Sequence, residues 1–129
     1  MSPASSKRIA IVGAGAVGGW VGGVLADAGY HITLIDPWPE HVTAIRDAGI
    51  TLTEPGNRRQ IPIRALHVAD VQSLHSTPVD VAFVCVKLYD TDWATALIVP
   101  YLAASGFVVT MQNGLIEERV AAIAGWGRT

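Results

Sequence analysis

The first hydrophobic stretch of this chain runs unbroken by charge from Ile9 to Ala26, and it carries six glycines. Its opening, "KRIAIVG", has β-branched residues at 9, 11 and 12 and predicts a buried parallel strand. The continuation, "AVGGWVGGVLADAG", predicts a helix stopped by Gly29. "HITLID" predicts a second strand. "PEHVTAIRDAG" (39–49) predicts a helix with Val42 and Ile45 on one face and Gly49 as its stop. "ITLTEPGNRRQIPIRAL" alternates at Ile50 and Leu52, turns at Pro55-Gly56-Asn57 and alternates again at Ile61 and Ile63, which is the pattern of a hairpin. "DVQSLHS" suggests a short helix, and "DVAFVCVK" (80–87) a buried strand. "TDWATALIVPYLAAS" predicts a helix bent or broken near Pro100, "FVVTMQ" (107–112) a strand and "IEERVAAIAG" a closing helix.

The order is βαβα, hairpin, (α)βαβα. It predicts an α/β fold, Rossmann-like and doubly wound, with a mostly parallel sheet and a β-hairpin insertion after the second helix. The expected organisation is a flexible N-terminus over 1–7 and one domain over 8–129, without repeats or low-complexity segments. In such sheets ligands sit outside the carboxyl ends of the strands. That rule singles out the glycine-rich turn, Asp36, Lys87-Leu88-Tyr89 and Asn113-Gly114 as the rim of one crevice.

Composition narrows the function classes. Half of the residues are hydrophobic and 16% are charged, so the chain should fold. Nine Lys+Arg against eleven Asp+Glu give a net charge of −2, which argues against a nucleic-acid or membrane-surface partner. The single cysteine, Cys85, has no partner for an internal disulfide, and no Cys/His spacing suggests a metal. A cytoplasmic location fits that cysteine usage. An exported or membrane-spanning reading of the first stretch has Lys7 and Arg8 in its favour. Six glycines, each costing a helix interior about 1 kcal/mol relative to alanine, weigh against it.

Candidate chemistry concentrates at Gly13-Ala14-Gly15-Ala16-Val17-Gly18, a complete G-x-G-x-x-G between strand and helix. In this motif the first glycine permits the sharp turn, the second removes a Cβ from the path of a pyrophosphate, and the third lets the helix lie close on the strand. The phosphates then meet free N–H groups at the positive end of the helix dipole. Asp36 lies 18 residues beyond Gly18 at the end of the second strand, where an acid would accept hydrogen bonds from the adenosine ribose and repel a 2′-phosphate. Its alternative role is to open the "DPWPE" turn and cap the next helix. These residues predict dinucleotide binding, with NAD preferred over NADP. Arg46, Arg58 and Arg59 would upset that preference if they folded over the ribose.

Together, "GAGAVGG", "VKLYDT" and "QNGLIEE" resemble the N-terminal domain of ketopantoate reductases (2-dehydropantoate 2-reductases), over almost the whole chain from about Arg8 to Trp126. The resemblance implies an oxidoreductase of pantothenate biosynthesis that moves hydride between a nicotinamide cofactor and a 2-keto acid. It puts Lys87 and Asn113 in the cleft where nicotinamide and keto acid meet, with Asn113 also touching substrate. Glu117 and Glu118 correspond to glutamates after the family's "NG". Solvent exposure for Lys87, a turn role for Asn113 and a favourable helix-dipole position for the glutamates are the alternatives.

Two departures qualify the resemblance. Family members typically carry an arginine for the NADP 2′-phosphate just after the second strand, where this chain has Asp36 and Pro37. The family is also expected to be about twice as long, with a helical second domain supplying the general-acid lysine and a substrate-binding glutamate. No catalytic residue is therefore assigned within 129 residues, and the chain reads as a truncated domain or gene fragment. Alone it should bind dinucleotide weakly, turn over little, and dimerise or aggregate through uncovered apolar surface. A methyltransferase, another two-domain dehydrogenase and a stand-alone nucleotide-binding module are the rival classes. His31, His41, His67 and His75 read as surface or satisfied positions, Cys85 as a packed thiol, and Trp20, Trp38 and Trp93 as packing aromatics by default, with an approach to the crevice as their alternative.

Overall fold

Five parallel strands form the main sheet of the computed structural model, which describes residues 7–112 and 116–129. The expectations for the N-terminus fall, but for Lys7, outside these residues, as do those for Asn113 and Gly114. The elements are β1 (Arg8–Val12), α1 (Ala16–Asp27), β2 (His31–Asp36), α2 (Pro39–Ala48), β3 (Ile50–Glu54), β4 (Asn57–Ile61), β5 (Arg64–His67), β6 (Val79–Val84), α3 (Thr91–Ile98), β7 (Leu102–Thr110) and α4 (Glu117–Ala124). The sheet order is β5-β2-β1-β6-β7, with β3 and β4 paired separately as an antiparallel hairpin. From β1 the chain builds outward to β2 and β5, then returns to place β6 on the other side of β1. The reversal falls between β1 and β6, so the predicted doubly wound fold is present and its switch point lies at the carboxyl ends of these two strands.

The two faces of the sheet have separate cores. Ile9, Ile11, Ile32 and Leu34 face α1, α2 and the hairpin, joined by Val42 and Ile45 of α2. Ala10, Val12, Ile35, Ala82 and Val84 face the opposite side, where Ala94, Ile98, Val120 and Ala124 of α3 and α4 meet them. Alternation along each strand thus divides its side chains between two layers. The first layer is incomplete over β6 and β7, where Phe107 is 43% exposed.

Glycine lets α1 sit deep on the sheet. A Cβ at Gly18 would run into the carbonyl oxygen of Gly13 and lie 3.2 Å from Ile11. One at Gly22 would come within 2.7 Å of Leu34, and one at Gly23 within 2.9 Å of both Ile50 and Leu52. The glycine face of the helix is therefore its buried face. With twelve residues, α1 is far shorter than the roughly 20 needed to cross a bilayer. No helix among the described residues is long and apolar enough to span one.

Several boundaries differ from the sequence reading. The hairpin ends at Ile61, and Arg64–His67 forms a separate strand paired parallel to β2 rather than continuing the hairpin. Pro62 has no N–H to donate to the ladder, and its ring ends β4. The third helix does not run to Ser105: it stops at Ile98, a 3₁₀ turn covers Val99–Tyr101 around Pro100, and β7 begins at Leu102, five residues before its predicted start. The early part of β7 pairs irregularly, with Val79 opposite Leu102 but Val81 opposite Phe107. The resulting slack is held by Arg128, which donates to the carbonyls of Ala103 and Gly106. The short helix expected at "DVQSLHS" is present as a 3₁₀ segment that starts two residues earlier, over Val68–Ser76. Finally, β6 leaves the sheet after Val84, so Cys85, Val86 and Lys87 follow the strand instead of completing it.

The two kinds of glycine contact predict unequal substitutions. Gly18→Ala drives its methyl into backbone and should cost about 3 kcal/mol or more. Gly22→Ala meets the movable end of Leu34 and gains helix propensity, leaving a net cost of at most about 2 kcal/mol. Urea unfolding of the two variants measures this order.

Candidate functional site

The glycine loop leaves β1 at the switch point. Gly13 adopts φ +100, and a Cβ there would press on the Cys85 carbonyl at 2.9 Å. Its N–H donates to the Ile35 carbonyl at 2.8 Å, which extends the β1–β2 ladder by one step. Gly15, at φ −76, precedes the first turn of α1, and a Cβ there would meet nothing within 4 Å. The helical ladder begins with Gly19 N–H donating to the Gly15 carbonyl at 2.8 Å. Among the described residues, no partner holds the N–H groups of Gly15, Ala16, Val17 and Gly18. A helix start leaves such donors free, and they combine with its dipole to favour an anion.

Asp36 closes one side of this loop. It is 7% exposed, with Oδ2 accepting the Ala14 N–H at 2.9 Å and Oδ1 accepting the Trp38 N–H at 2.9 Å. The carboxylate thus braces the glycine loop and shapes the "DPWPE" turn, but it makes no side-chain cap to α2, whose N-cap is Trp38. Two further partners of this region were not identified as such from the sequence. His41 Nε2 lies 2.6 Å from the Ala14 carbonyl, and His67 Nε2 lies 2.9 Å from the Pro37 carbonyl while its Nδ1 accepts from Ala69 N–H. Both histidines are satisfied ones, as expected, but they hold the loops that edge the crevice.

On the other side of β1, Cys85 N–H donates to the Val12 carbonyl, so the segment after β6 runs beside the glycine loop. Lys87 follows within two residues and is exposed, as are Leu88 and Tyr89. Among the described residues Lys87 makes no ion pair. Gln112, which the sequence reading passed over, ties this edge together by donating to the Val86 carbonyl and to Thr91 Oγ1, both at 2.7 Å. Asn113 follows it directly but lies outside the described residues. Gln112 is invisible as a site residue in the sequence because its partners come from two other elements.

The model of the family described as ketopantoate reductase PanE/ApbA matches residues 9–125. The chain belongs to this family. A 2-dehydropantoate 2-reductase from Halobacterium salinarum is 34% identical over 115 residues, covering 89% of this chain but only 37% of that protein. A solved PanE/ApbA family ketopantoate reductase from Ralstonia eutropha JMP134 is 34% identical with a TM-score of 0.79, covering 92% of this chain and 38% of that one. D-mandelate dehydrogenase, solved as a ternary structure with NADH and anilino(oxo)acetate, superposes with a TM-score of 0.81 at 26% identity over 90% of this chain and 37% of its own. The chain therefore spans little more than a third of these proteins' length, less than the half expected, and corresponds to the N-terminal domain of a ketopantoate reductase.

Arg46 and Arg59 both have partners away from Asp36. Arg46 donates to the Ala65 carbonyl at 2.8 Å and faces Asp70 at 3.9 Å. Arg59 forms a two-pronged pair with Asp27 and reaches Glu54. Asp27 closes the far end of α1, about 18 Å along the helix from the glycine loop. Neither arginine folds over Asp36, and Pro37 supplies no charge. Trp20 and Trp38 are 62% and 68% exposed, so the packing expected of them is absent. Trp20 shares the outer side of α1 with Val17 and Val24, opposite the glycine face, while Trp38 sits on the turn after β2. Trp93 is partly open and donates to Asp90 Oδ1 at 2.8 Å. Among the described residues no three His, Cys, Asp or Glu side chains group as metal ligands.

Burial pushes the Cys85 thiol up to about 11, so it stays protonated at neutral pH. Cys85 should react slowly with iodoacetamide at pH 8 and approach the rate of a free thiol only above pH 11. Rapid labelling at pH 8, followed by mass spectrometry, would contradict this burial.

Proposed function

We propose that the chain is the dinucleotide-binding domain of an oxidoreductase that transfers hydride between a nicotinamide cofactor and a 2-keto or 2-hydroxy acid, with NAD preferred over NADP. The observation that carries the reading is the open space at Gly15, at the head of α1, where the first N–H groups have no partner among the described residues. That cradle fits a pyrophosphate: it offers several donors, a positive helix end and no side chain in the way. Gly13, Ala14, Gly15, Ala16, Val17 and Gly18 would hold the phosphates. Asp36 has two acceptor positions engaged by backbone and can accept further hydrogen bonds from ribose hydroxyls. Its charge, with Arg46 and Arg59 engaged elsewhere, disfavours an additional 2′-phosphate.

When bound, the cofactor supplies the hydride-carrying nicotinamide. The chain's own part is binding and orientation. Lys87 presents an exposed cation beside the glycine loop, suited to cofactor phosphate or a keto-acid carboxylate, and Asn113 is assigned to cofactor and substrate from the family resemblance alone. No described residue is assigned as the general acid, so the chain by itself is expected to bind rather than turn over. The neighbour solved with NADH and anilino(oxo)acetate supports a nicotinamide and a small acid as the ligand classes.

The test is a titration with NADH and NADPH followed through tryptophan fluorescence. The unsubstituted chain should bind NADH more tightly than NADPH; the reverse order would overturn the role given to Asp36. Gly15→Leu separates binding from folding. Its φ of −76 and empty surroundings let the fold accept the side chain with a stability change within about 0.5 kcal/mol. The same side chain fills the cradle, so affinity for both dinucleotides should fall at least about a hundredfold, roughly 2.7 kcal/mol. Unchanged affinity in a folded Gly15→Leu protein would refute the cradle.

A further inference from the structure

The carbonyl of Ala14 stands outside the ladder of α1, whose first hydrogen bond goes to the next residue, Gly15. His41, in the first turn of α2, holds that carbonyl through Nε2 at 2.6 Å. A carbonyl only accepts, so Nε2 carries the proton. The Ala14 carbonyl belongs to the same peptide plane as the Gly15 N–H. In a trans peptide the two point in opposite directions, and the described residues contain no cis bond. Fixing the oxygen toward α2 therefore turns the Gly15 N–H away from α2. The plane before it is also held, because the Ala14 N–H donates to Asp36 Oδ2.

We propose that His41 is a positioning residue for the phosphate cradle: it sets the Ala14–Gly15 peptide plane so that the Gly15 N–H faces a nucleotide diphosphate. The inference rests on the dinucleotide reading given above. Asp36 and His41 act on successive peptides, Asp36 on the N–H side of Ala14 and His41 on its carbonyl side. Without His41 the second plane is free to rotate about the bonds of Ala14 and Gly15. The donor would then have to be ordered again each time a diphosphate binds. A ligand without phosphates makes no use of that donor.

The experiment compares the unsubstituted chain with His41→Leu and His41→Gln, using NADH, ADP and adenosine as probes, with calorimetry for the nucleotides and NMR titration for adenosine. His41→Leu should weaken NADH and ADP about three- to tenfold while leaving adenosine affinity unchanged. His41→Gln, whose side-chain amide can donate to the same carbonyl, should recover most of the loss. Urea unfolding of the ligand-free variants accompanies the titrations. Unchanged NADH and ADP affinity in His41→Leu overturns the proposal, and so does an equal loss for adenosine, which would mark a general structural role. If the unsubstituted chain binds neither NADH, NADPH nor ADP, the dinucleotide reading itself fails and this inference falls with it.

Discussion

The closeness of α1 to β1 and β2 is the constraint on which the site depends. With Gly18, Gly22 and Gly23 facing the sheet, the helix axis can approach where larger residues would hold it away. The start of α1 is thereby drawn over the end of β1, immediately after a turn that only Gly13 makes without strain. Everything that follows chemically, the free N–H groups and the dipole directed at one open space, is a result of that placement. The same closeness seats Ile50 and Leu52 of the hairpin against the helix, so the insertion serves as a second wall for α1.

Around this helix start the protein uses hydrogen bonds rather than bulk to shape a crevice. Asp36 from β2 and His41 from α2 hold the Ala14 residue from both sides. Gln112 ties the end of β7 to the segment after β6. Each bond lies at the carboxyl end of the sheet. Two backbone N–H groups pair both buried oxygens of the Asp36 carboxylate.

Apolar surface is distributed unevenly over the sheet. The chain matches little more than a third of its relatives' length. Its first core layer is complete over β2 and β1, where α1 and α2 lie, and thin over β6 and β7, where Phe107 is open. The elements around the glycine loop are the ones whose own packing is closed. The exposed half of the sheet lies on the side of Lys87, away from Asp36.

Local pattern determined much of this protein from sequence alone. Strands β1 and β2, helices α1 and α2 and the turn between β3 and β4 follow from runs of apolar residues and from Gly and Pro, whose effects act within a few residues. The glycine spacing and the acid 18 residues later likewise carry their geometry with them, because a strand-turn-helix unit is short and stereotyped. Tertiary structure decided what depends on distant partners. Arg64–His67 is a strand only because β2 offers it an edge, and β7 starts early because β6 and Arg128 hold its irregular beginning. The roles of His41 and Gln112 were hidden for the same reason: a hydrogen bond to a backbone carbonyl 26 or 27 residues away leaves no periodicity in the chain. The exposure of Trp20 and Trp38 was set by which faces the glycines and the sheet had already occupied.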